Sequence, residues 1–372
     1  MTYSFSDAIT KATALTKAGR LQEATALLQA SLKGPTTPDT DSVLEGTYVR
    51  LDQSQPQARS TAPRAPLGET LRRIAAGGMP LSGPHHPAHT ALPSGAEFLA
   101  LTHVGTAGTL NYRLYLPRNR THRMPLVVML HGCTQSPEDF AAGTGMNSLA
   151  EEFGCLIAYP AQPTRANAQK CWNWFRPEDQ GNGQGEPALI AGMTREILAA
   201  HPVDPALVYL AGLSAGGAAA LITGSAYPTL FSAIGVHSGL PIGAAYDVPS
   251  AFAAMRNGSV AKPVKASLPT IVFHGLEDTT VNVKNGRAIL GQVTRNFPGL
   301  TKQQDRVATP GLRIADRTRY ADSQGRIMAE LWEVEGAGHA WAGGRSSGSY
   351  TDPTGPDASG VMLQFFLQHS KA

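Results

Sequence analysis

Two serines lie between glycines in the pattern G-x-S-x-G, in which a serine hydroxyl is placed to attack a carbonyl carbon. They are Ser214, in the pentapeptide GLSAG, and Ser346, in GRSSG. Ser214 follows the apolar run 207–211 and precedes the helical pattern 215–226, so a strand, a sharp turn and a helix are predicted around it. Ser346 lies in a Gly- and Ser-rich stretch with no strand pattern before it. The sequence therefore predicts Ser214 as a nucleophile.

A serine nucleophile needs a base, and the base needs an acid that orients it. In one known chain order, the acid and then a histidine follow the serine. The apolar run 270–273 leads into the stretch HGLED, which places Glu277 and Asp278 just past the carboxyl end of a strand. We predict Asp278 as the acid, because it adjoins turn-forming threonines and occupies the usual place in H-G-x-x-D stretches. Glu277 is the alternative.

His339 is the predicted base. It lies in the stretch GAGHAW after the last strand pattern, residues 328–334, and the flanking glycines allow the loop to carry its imidazole back over the serine. Chain order excludes three other histidines as the base: His201, His237 and His274. His369 lies in the predicted terminal helix and is expected as a helix-end cation.

An oxyanion hole needs two backbone N–H groups that point at the tetrahedral intermediate. One is predicted from Ala215, the residue after the nucleophile. The other is expected in the loop 131–135, which follows the strand pattern 126–130. We predict the N–H of Cys133, with that of Thr134 as the alternative.

The elements that must position these side chains are predicted from residue 98 onward. A hairpin is expected from the alternating residues 98–104 and 112–116, with a glycine-containing turn between them. Apolar runs then alternate with helical patterns: runs 126–130, 155–159, 207–211, 233–237, 270–273 and 328–334, and helices 140–153, 188–200, 215–226, 286–297 and 358–369. This alternation predicts a mostly parallel sheet covered by helices on both faces. An antiparallel hairpin leading into such a sheet is typical of the α/β-hydrolase fold.

The composition is that of an ordinary globular chain. Of 372 residues, 42% are hydrophobic and 16% are charged, which excludes a wholly disordered protein and a coiled-coil rod. The net charge of +3 is near balance, so neither nucleic acid nor an anionic membrane is expected as a partner. No apolar run approaches the roughly 20 residues that a membrane-spanning helix needs.

The first 95 residues differ from the rest. Residues 1–33 show helical spacing on both sides of Gly19, which predicts a short helical hairpin. Residues 34–95 are rich in proline and are predicted as an irregular linker, followed by a catalytic domain over 96–372. Three histidines of the linker, His85, His86 and His89, have no acidic or cysteine ligand at a fitting spacing, so we predict no metal site. Residues 1–13 do not show the pattern of a secretory signal peptide, which favours the cytoplasm.

Four stretches carry a resemblance to a known family. They are LHGCTQ (130–135), CWNWF (171–175), GLSAGG (212–217) and GHAW (338–341). In this order they resemble the esterase/polyhydroxybutyrate (PHB) depolymerase family of α/β-hydrolases, which has feruloyl and acetylxylan esterase relatives. The resemblance covers about residue 101 to the C-terminus. It implies a serine carboxylic-ester hydrolase that uses Ser214, Asp278 and His339 and needs no cofactor.

The resemblance also implies the substrate and the surroundings of the site. The expected partner is an ester substrate, either a short-chain poly- or oligo(3-hydroxyalkanoate) or an aryl ester. Because many relatives are secreted, an extracellular location is expected, with the cytoplasm as the alternative. The motif cysteines Cys133 and Cys171 are expected to form a disulfide, with two free buried thiols as the alternative; Cys155 should be buried and inert.

Three tryptophans flank the catalytic loops, and flat aromatic surfaces suit an acyl chain, an aryl ring or a polyester strand. The residues expected to bind substrate are Trp172, Trp341 and Trp174, with Asn173 between two of them. Nothing after the catalytic domain resembles a polymer-binding domain, which favours soluble oligomers over crystalline polymer. Two rival hypotheses are a peptidase of the same fold and an inactive scaffold whose residues 1–33 bind a partner.

Overall fold

Ten strands form one sheet in the computed structural model, which describes residues 92–120, 122–260 and 262–371. In chain order the strands are β1 (Glu97–Gly105), β2 (Gly108–Leu116), β3 (Met124–Leu130), β4 (Leu156–Pro160), β5 (Val203–Leu213), β6 (Ala233–His237), β7 (Thr270–Gly275), β8 (Thr301–Val307), β9 (Ala315–Ala321) and β10 (Ile327–Val334). Their order across the sheet is β1-β2-β4-β3-β5-β6-β7-β10-β9-β8. A separate pair, β11 (Trp341–Ala342) and β12 (Thr351–Asp352), lies beyond β10 in the chain.

The centre of the sheet is parallel and its two edges are antiparallel. Strands β4, β3, β5, β6, β7 and β10 run in one direction, β1 and β2 form a hairpin at one edge, and β9 and β8 continue the sheet at the other. Every residue of β3, β4 and β6 is buried, as expected for strands covered on both faces. The carboxyl ends of β3, β5, β7 and β10 therefore meet at one edge of the sheet.

Seven helices flank this sheet in the described residues: α1 (Pro137–Thr144), α2 (Met146–Phe153), α3 (Gly185–Ala200), α4 (Ala215–Ala226), α5 (Val248–Asn257), α6 (Lys284–Thr294) and α7 (Ala358–Leu367). Alternate residues of β3 join two different core clusters: Leu126 and Val128 pack in one, Val127 and Met129 in the other. Each face of the sheet thus has its own apolar core. The predicted mostly parallel sheet with helices on both faces is confirmed.

One predicted helix is divided in two. The pattern 140–153 forms α1 and α2, because Gly145 between them takes the left-handed conformation, with φ of 65°, and its N–H caps α1 at the carbonyl of Ala141. A left-handed glycine of this kind ends a helix. Strand β8 was not predicted, since it is an exposed, largely polar edge strand without alternating hydrophobicity.

His369 is not the helix-end cation that the sequence suggested. It follows α7 and is buried, and burial lowers the pKa of its imidazole to about 4. The ring is therefore neutral near pH 7, and this expectation was wrong.

The predicted helical hairpin over residues 1–33 lies outside the described residues, as does the predicted linker apart from residues 92–95. In the part of the chain that the structure describes, every helix is too short or too polar to cross a membrane. The described residues thus include the sheet, its flanking helices and the loops at the carboxyl ends of its strands.

Candidate active site

Ser214 lies on a strained turn between β5 and α4. Its backbone has φ of 58° and ψ of −120°, which a residue with a side chain adopts only when its surroundings enforce it. Two hydrogen bonds hold it there: its N–H donates to the carbonyl of His237 at 2.8 Å, and its carbonyl accepts from the N–H of Ala218 at 3.0 Å. The residue is 7% exposed and lies at the carboxyl edge of the sheet.

Two glycines permit this turn. A methyl group on Gly212 would overlap the backbone of Gly216, and one on Gly216 would overlap the carbonyls of Leu130 and His131. The first glycine lets strand and helix approach each other, and the second lets α4 pack against the loop that follows β3. The G-x-S-x-G pattern thus reflects two close backbone contacts.

Asp278 and His339 form a hydrogen-bonded pair near the end of β7. The Nδ1–H of His339 donates to Oδ2 of Asp278 at 2.7 Å, while Oδ1 accepts from the N–H groups of Thr280 and Val281 at 2.9 and 2.8 Å. Burial opposes ionisation of Asp278, but the hydrogen bonds and the charge of His339 outweigh it and hold the pKa of the carboxyl below its ordinary value. The side chain is therefore a carboxylate at neutral pH. The alternative acid, Glu277, is exposed.

Backbone contacts fix the two loops that carry this pair. The N–H of Leu276 donates to the carbonyl of Val334 at 2.9 Å, and that of Glu277 donates to the carbonyl of Ala337 at 3.0 Å. A methyl group on Gly275 would overlap the carbonyl of Ala337. The loop after β7 and the loop after β10 therefore lie against each other, which holds the imidazole on the carboxylate.

Two histidines support these loops, although their place in the chain excluded them as the base. His274 donates through Nε2–H to the carbonyl of Val281 at 2.7 Å and lies 3.6 Å from Oδ2 of Asp278. His237 accepts from the N–H of Ala342 at 2.9 Å, beyond His339 in the chain. Burial, with the neighbouring histidines, lowers the pKa of His237 to about 3, and burial also lowers that of His274. Both rings are neutral supports; the position of His274 in HGLED was the signal that could have revealed its role.

The loop after β3, residues 131–135, is held on several sides. His131 is buried, which lowers its pKa to about 4, and its Nδ1–H donates to the carbonyl of Gly132 at 2.7 Å. Gln135 accepts from the N–H of Gly132 at 2.9 Å. The N–H of Thr134 donates to the carbonyl of Gln169 at 2.7 Å, so this alternative oxyanion donor is already engaged. Among the described residues, no comparable hydrogen bond engages the N–H of Cys133.

A disulfide joins Cys133 to Cys171, as the resemblance implied. It links the loop after β3 to the loop that carries the tryptophans. The third cysteine, Cys155, is buried and unpaired, and burial raises the pKa of its thiol to about 12. Cys155 is therefore present as an unreactive thiol.

Trp172 and Trp341, which were predicted to bind substrate, are both fully buried in this structure. The Nε1–H of Trp172 donates to the carbonyl of His131 at 3.1 Å. Trp341 stacks on His237 with ring centroids 5.2 Å apart, and its Nε1–H donates to Ser359 at 2.9 Å. Trp172 therefore supports the loop after β3 from inside the protein, and Trp341 supports the segment that follows His339.

Trp174 and Asn173 are also buried, so neither presents a surface to substrate. Trp174 packs edge-on against Phe175 with centroids 5.8 Å apart. Asn173 donates from its backbone N–H and its side-chain amide to the carboxylate of Glu186, both at 2.7 Å. Through these contacts, Trp174 and Asn173 contribute to the shape of the tryptophan-rich loop rather than to its outer surface.

Removing the disulfide is expected to destabilise the protein. A bridge between residues 38 positions apart restricts the unfolded chain and contributes about 4 kcal/mol in the chain-entropy model. A Cys133→Ser/Cys171→Ser variant should lose about that free energy of unfolding, measured in urea. Reductant should lower the wild type to the same level and leave the double variant unchanged. Equal stability of the wild type with and without reductant would contradict the prediction.

No group of three or more His, Cys, Asp or Glu side chains is arranged to hold a metal ion among residues 92–120, 122–260 and 262–371. The histidines His85, His86 and His89 lie outside those ranges.

Comparison with known proteins agrees with the fold and the motifs. The chain superimposes on an acetyl xylan esterase from Aspergillus awamori with a TM-score of 0.59 and 20% identity, covering 73% of this chain and 99% of that one. This likeness defines the α/β-hydrolase fold. In sequence, the chain is 31% identical to poly(3-hydroxyalkanoate) depolymerase C of Paucimonas lemoignei, over 74% of this chain and 68% of the relative. It is 30% identical to feruloyl esterase B of Thermothelomyces thermophilus, over 53% of this chain and 74% of the relative.

The fold and these relatives define a serine carboxylic-ester hydrolase. The family model described as esterase PHB depolymerase matches residues 110–319, which is more than half of the chain. The chain belongs to this family.

Proposed function

We propose that this enzyme cleaves short-chain oligo- or poly(3-hydroxyalkanoate) esters through an acyl-enzyme formed on Ser214. The observation that carries the proposal is the position of the strained Ser214 turn at the same sheet edge as the Asp278–His339 hydrogen bond of 2.7 Å. A hydroxyl on such a turn, an imidazole and a carboxylate that orients it are the three groups that acyl transfer needs.

The reaction proceeds in two halves. His339, oriented by Asp278, takes the proton of the Ser214 hydroxyl through Nε2 as the oxygen attacks the ester carbonyl. The same proton then passes to the departing alcohol as the carbon–oxygen bond breaks. In the second half, His339 takes a proton from water, the hydroxide attacks the acyl-enzyme, and the acid leaves as the proton returns to Ser214.

The negative charge of each tetrahedral intermediate is stabilised by the N–H groups of Cys133 and Ala215. Three observations support this pair. The N–H of Thr134 is bonded to Gln169, Gly216 packs against the carbonyls of the loop after β3, and Ala215 is the first residue of a helix of 12 residues. A helix start favours negative charge nearby. Both donors would be preorganised before substrate arrives.

The substrate class rests on the relatives. Two of them are named poly(3-hydroxyalkanoate) depolymerase C and, from Ralstonia pickettii, poly(3-hydroxybutyrate) depolymerase. The second candidate function is hydrolysis of small feruloyl or acetylxylan esters, favoured by the relatives named feruloyl esterase B and acetylxylan esterase A.

Hydrolysis rates on a panel of substrates separate these functions. We expect the highest kcat/KM on soluble 3-hydroxybutyrate oligomers, a lower rate on amorphous polymer, and slower turnover of methyl ferulate and acetylated xylo-oligosaccharides. A preference for the last two would favour the second candidate. Aminoacyl anilides test the peptidase hypothesis, and their efficient cleavage would contradict an esterase that acts on hydroxyalkanoates.

An oxidising, extracellular location fits this function. The Cys133–Cys171 disulfide supports it, because disulfides persist mainly in oxidising compartments. The inactive-scaffold hypothesis is disfavoured, since a buried carboxylate held ionised against a histidine would have no evident purpose without chemistry at Ser214.

A further inference from the structure

A buried carboxylate outside the proposed triad lies behind the oxyanion loop. Glu186 is in the first turn of α3, is 8% exposed, and has no cation bonded to it among the described residues. Its oxygens accept from the backbone N–H and the side-chain amide of Asn173, both at 2.7 Å, and from the side-chain amide of Gln162. One carboxylate therefore receives three N–H donors from two separate loops.

Both of these loops are attached to the loop that carries Cys133. The N–H of Gln162 donates to Nε2 of His131 at 3.1 Å, and its side-chain amide also donates to the carbonyl of Cys171 at 2.9 Å. Trp172, next to Asn173, donates to the carbonyl of His131 at 3.1 Å. Cys171 is bonded through sulfur to Cys133 itself. Glu186 thus reaches the oxyanion loop through His131 at its start and through the disulfide at Cys133.

We propose, as a consequence of the function proposed above, that the ionised carboxylate of Glu186 is a positioning residue that holds the Cys133 N–H in place for the oxyanion. An acceptor-only group suits this position, because every partner at its oxygens is a donor. A protonated or amide side chain would direct a hydrogen at one of those donors. The loop that carries Cys133 would then shift. An N–H group displaced from the oxyanion stabilises the transition state much less.

The charges around Glu186 give this arrangement a pH dependence. Burial, followed by the charge of Asp179, raises the pKa of Glu186 to about 7, although the bonds from Gln162 and Asn173 oppose the rise. Arg165 lines the same cavity of about 230 Å³ as Glu186, and His131 is neutral because its pKa is about 4. Glu186 is therefore mostly ionised above about pH 7 and becomes protonated as the pH falls below that value.

Activity and stability should respond to this titration in opposite directions. Because the pKa of Glu186 is higher in the folded protein than in the unfolded chain, the folded protein binds this proton more readily, and the contribution of Glu186 to stability is lost as pH rises through about 7. Catalysis, which needs the carboxylate, should increase over the same interval. A purely structural role would make activity follow stability.

The test compares Glu186→Gln with the wild type on a soluble ester. We expect kcat to fall about tenfold with KM within twofold, since a misplaced donor weakens the transition state and not the bound substrate. The acid limb of log kcat should be steeper in the wild type, where the titration of Glu186 contributes to it, than in the variant. The matched control is Glu178→Gln, an exposed carboxylate close by in the chain, which should leave both quantities unchanged.

Asn173→Ala provides a second test that keeps Glu186. It should lower kcat by a smaller factor at unchanged KM, and the double variant should be no slower than Glu186→Gln alone. An unchanged kcat in both single variants, or an acid limb that keeps its slope in Glu186→Gln, would overturn the proposal. The two proposals can fail separately. If the proposed function is wrong, ester hydrolysis should survive Ser214→Ala. If only the Glu186 proposal is wrong, hydrolysis should still be lost in Ser214→Ala.

Discussion

Replacing Ser214 by alanine is expected to reduce kcat for ester hydrolysis on the order of 10⁶-fold, the size of effect seen when a serine hydrolase loses its nucleophile. The variant keeps its oxyanion donors but has no oxygen to form the acyl-enzyme. Turnover of a p-nitrophenyl ester and covalent labelling by a fluorophosphonate both measure the change. The labelling should disappear together with turnover.

The chain contains its own control for this experiment. Ser346 lies in the second G-x-S-x-G stretch, which the structure places in a loop, so Ser346→Ala should keep full turnover and full labelling. Thermal unfolding of Ser214→Ala should be close to that of the wild type, because the substitution removes a single oxygen from a residue that is 7% exposed. Retained turnover in a folded Ser214→Ala protein would remove the basis of the proposed mechanism.

Asp278→Asn is expected to lower kcat on the order of 10⁴-fold, the effect of the equivalent change in a serine protease triad. An amide in place of the carboxylate can present its NH₂ group to Nδ1 of His339, which favours the wrong tautomer and removes the charge that stabilises the imidazolium. The bond concerned is 2.7 Å long in the structure. Because Oδ1 also accepts two backbone N–H groups, some loss of stability should accompany the loss of rate.

The neighbouring carboxylate is the matched control. Glu277→Gln removes the adjacent charge from an exposed side chain and should change kcat by less than about twofold, since exposed charges interact weakly. The ratio of the two variants' kcat values therefore distinguishes the two acids that sequence reasoning left open. A larger loss in Glu277→Gln than in Asp278→Asn would reverse the assignment.

The sheet and the candidate catalytic residues were predictable because each depends on a local pattern. Ser214 was predicted from a strand, two glycines and a helix that are contiguous in the chain, and the structure has those elements with β5 ending at Leu213 and α4 beginning at Ala215. Asp278 and His339 were predicted from the ends of two later strands. Parallel neighbours bring such ends to one edge, so chain order was enough to suggest the group.

The errors fall where local pattern carries no information about burial. The tryptophans were predicted to present flat surfaces to substrate, yet Trp172 and Trp341 are buried, and their N–H groups donate to acceptors inside the protein. The division of one helix at Gly145 depended on a single left-handed residue. The role of Glu186 could not be predicted locally, because its three hydrogen-bond donors come from two residues, Asn173 and Gln162, that lie 13 and 24 positions away.

The amino-acid pattern was enough to predict the parallel sheet, the turn at Ser214 and the order of the candidate side chains, because hydrophobic periodicity and glycine spacing act over a few neighbouring residues. The three-dimensional contacts were needed to show which carboxylate bonds to His339, which aromatic rings are buried, and how Glu186 is connected to Cys133. Those outcomes depend on contacts between loops that are distant in the chain, where small differences in packing and desolvation determine which polar groups pair.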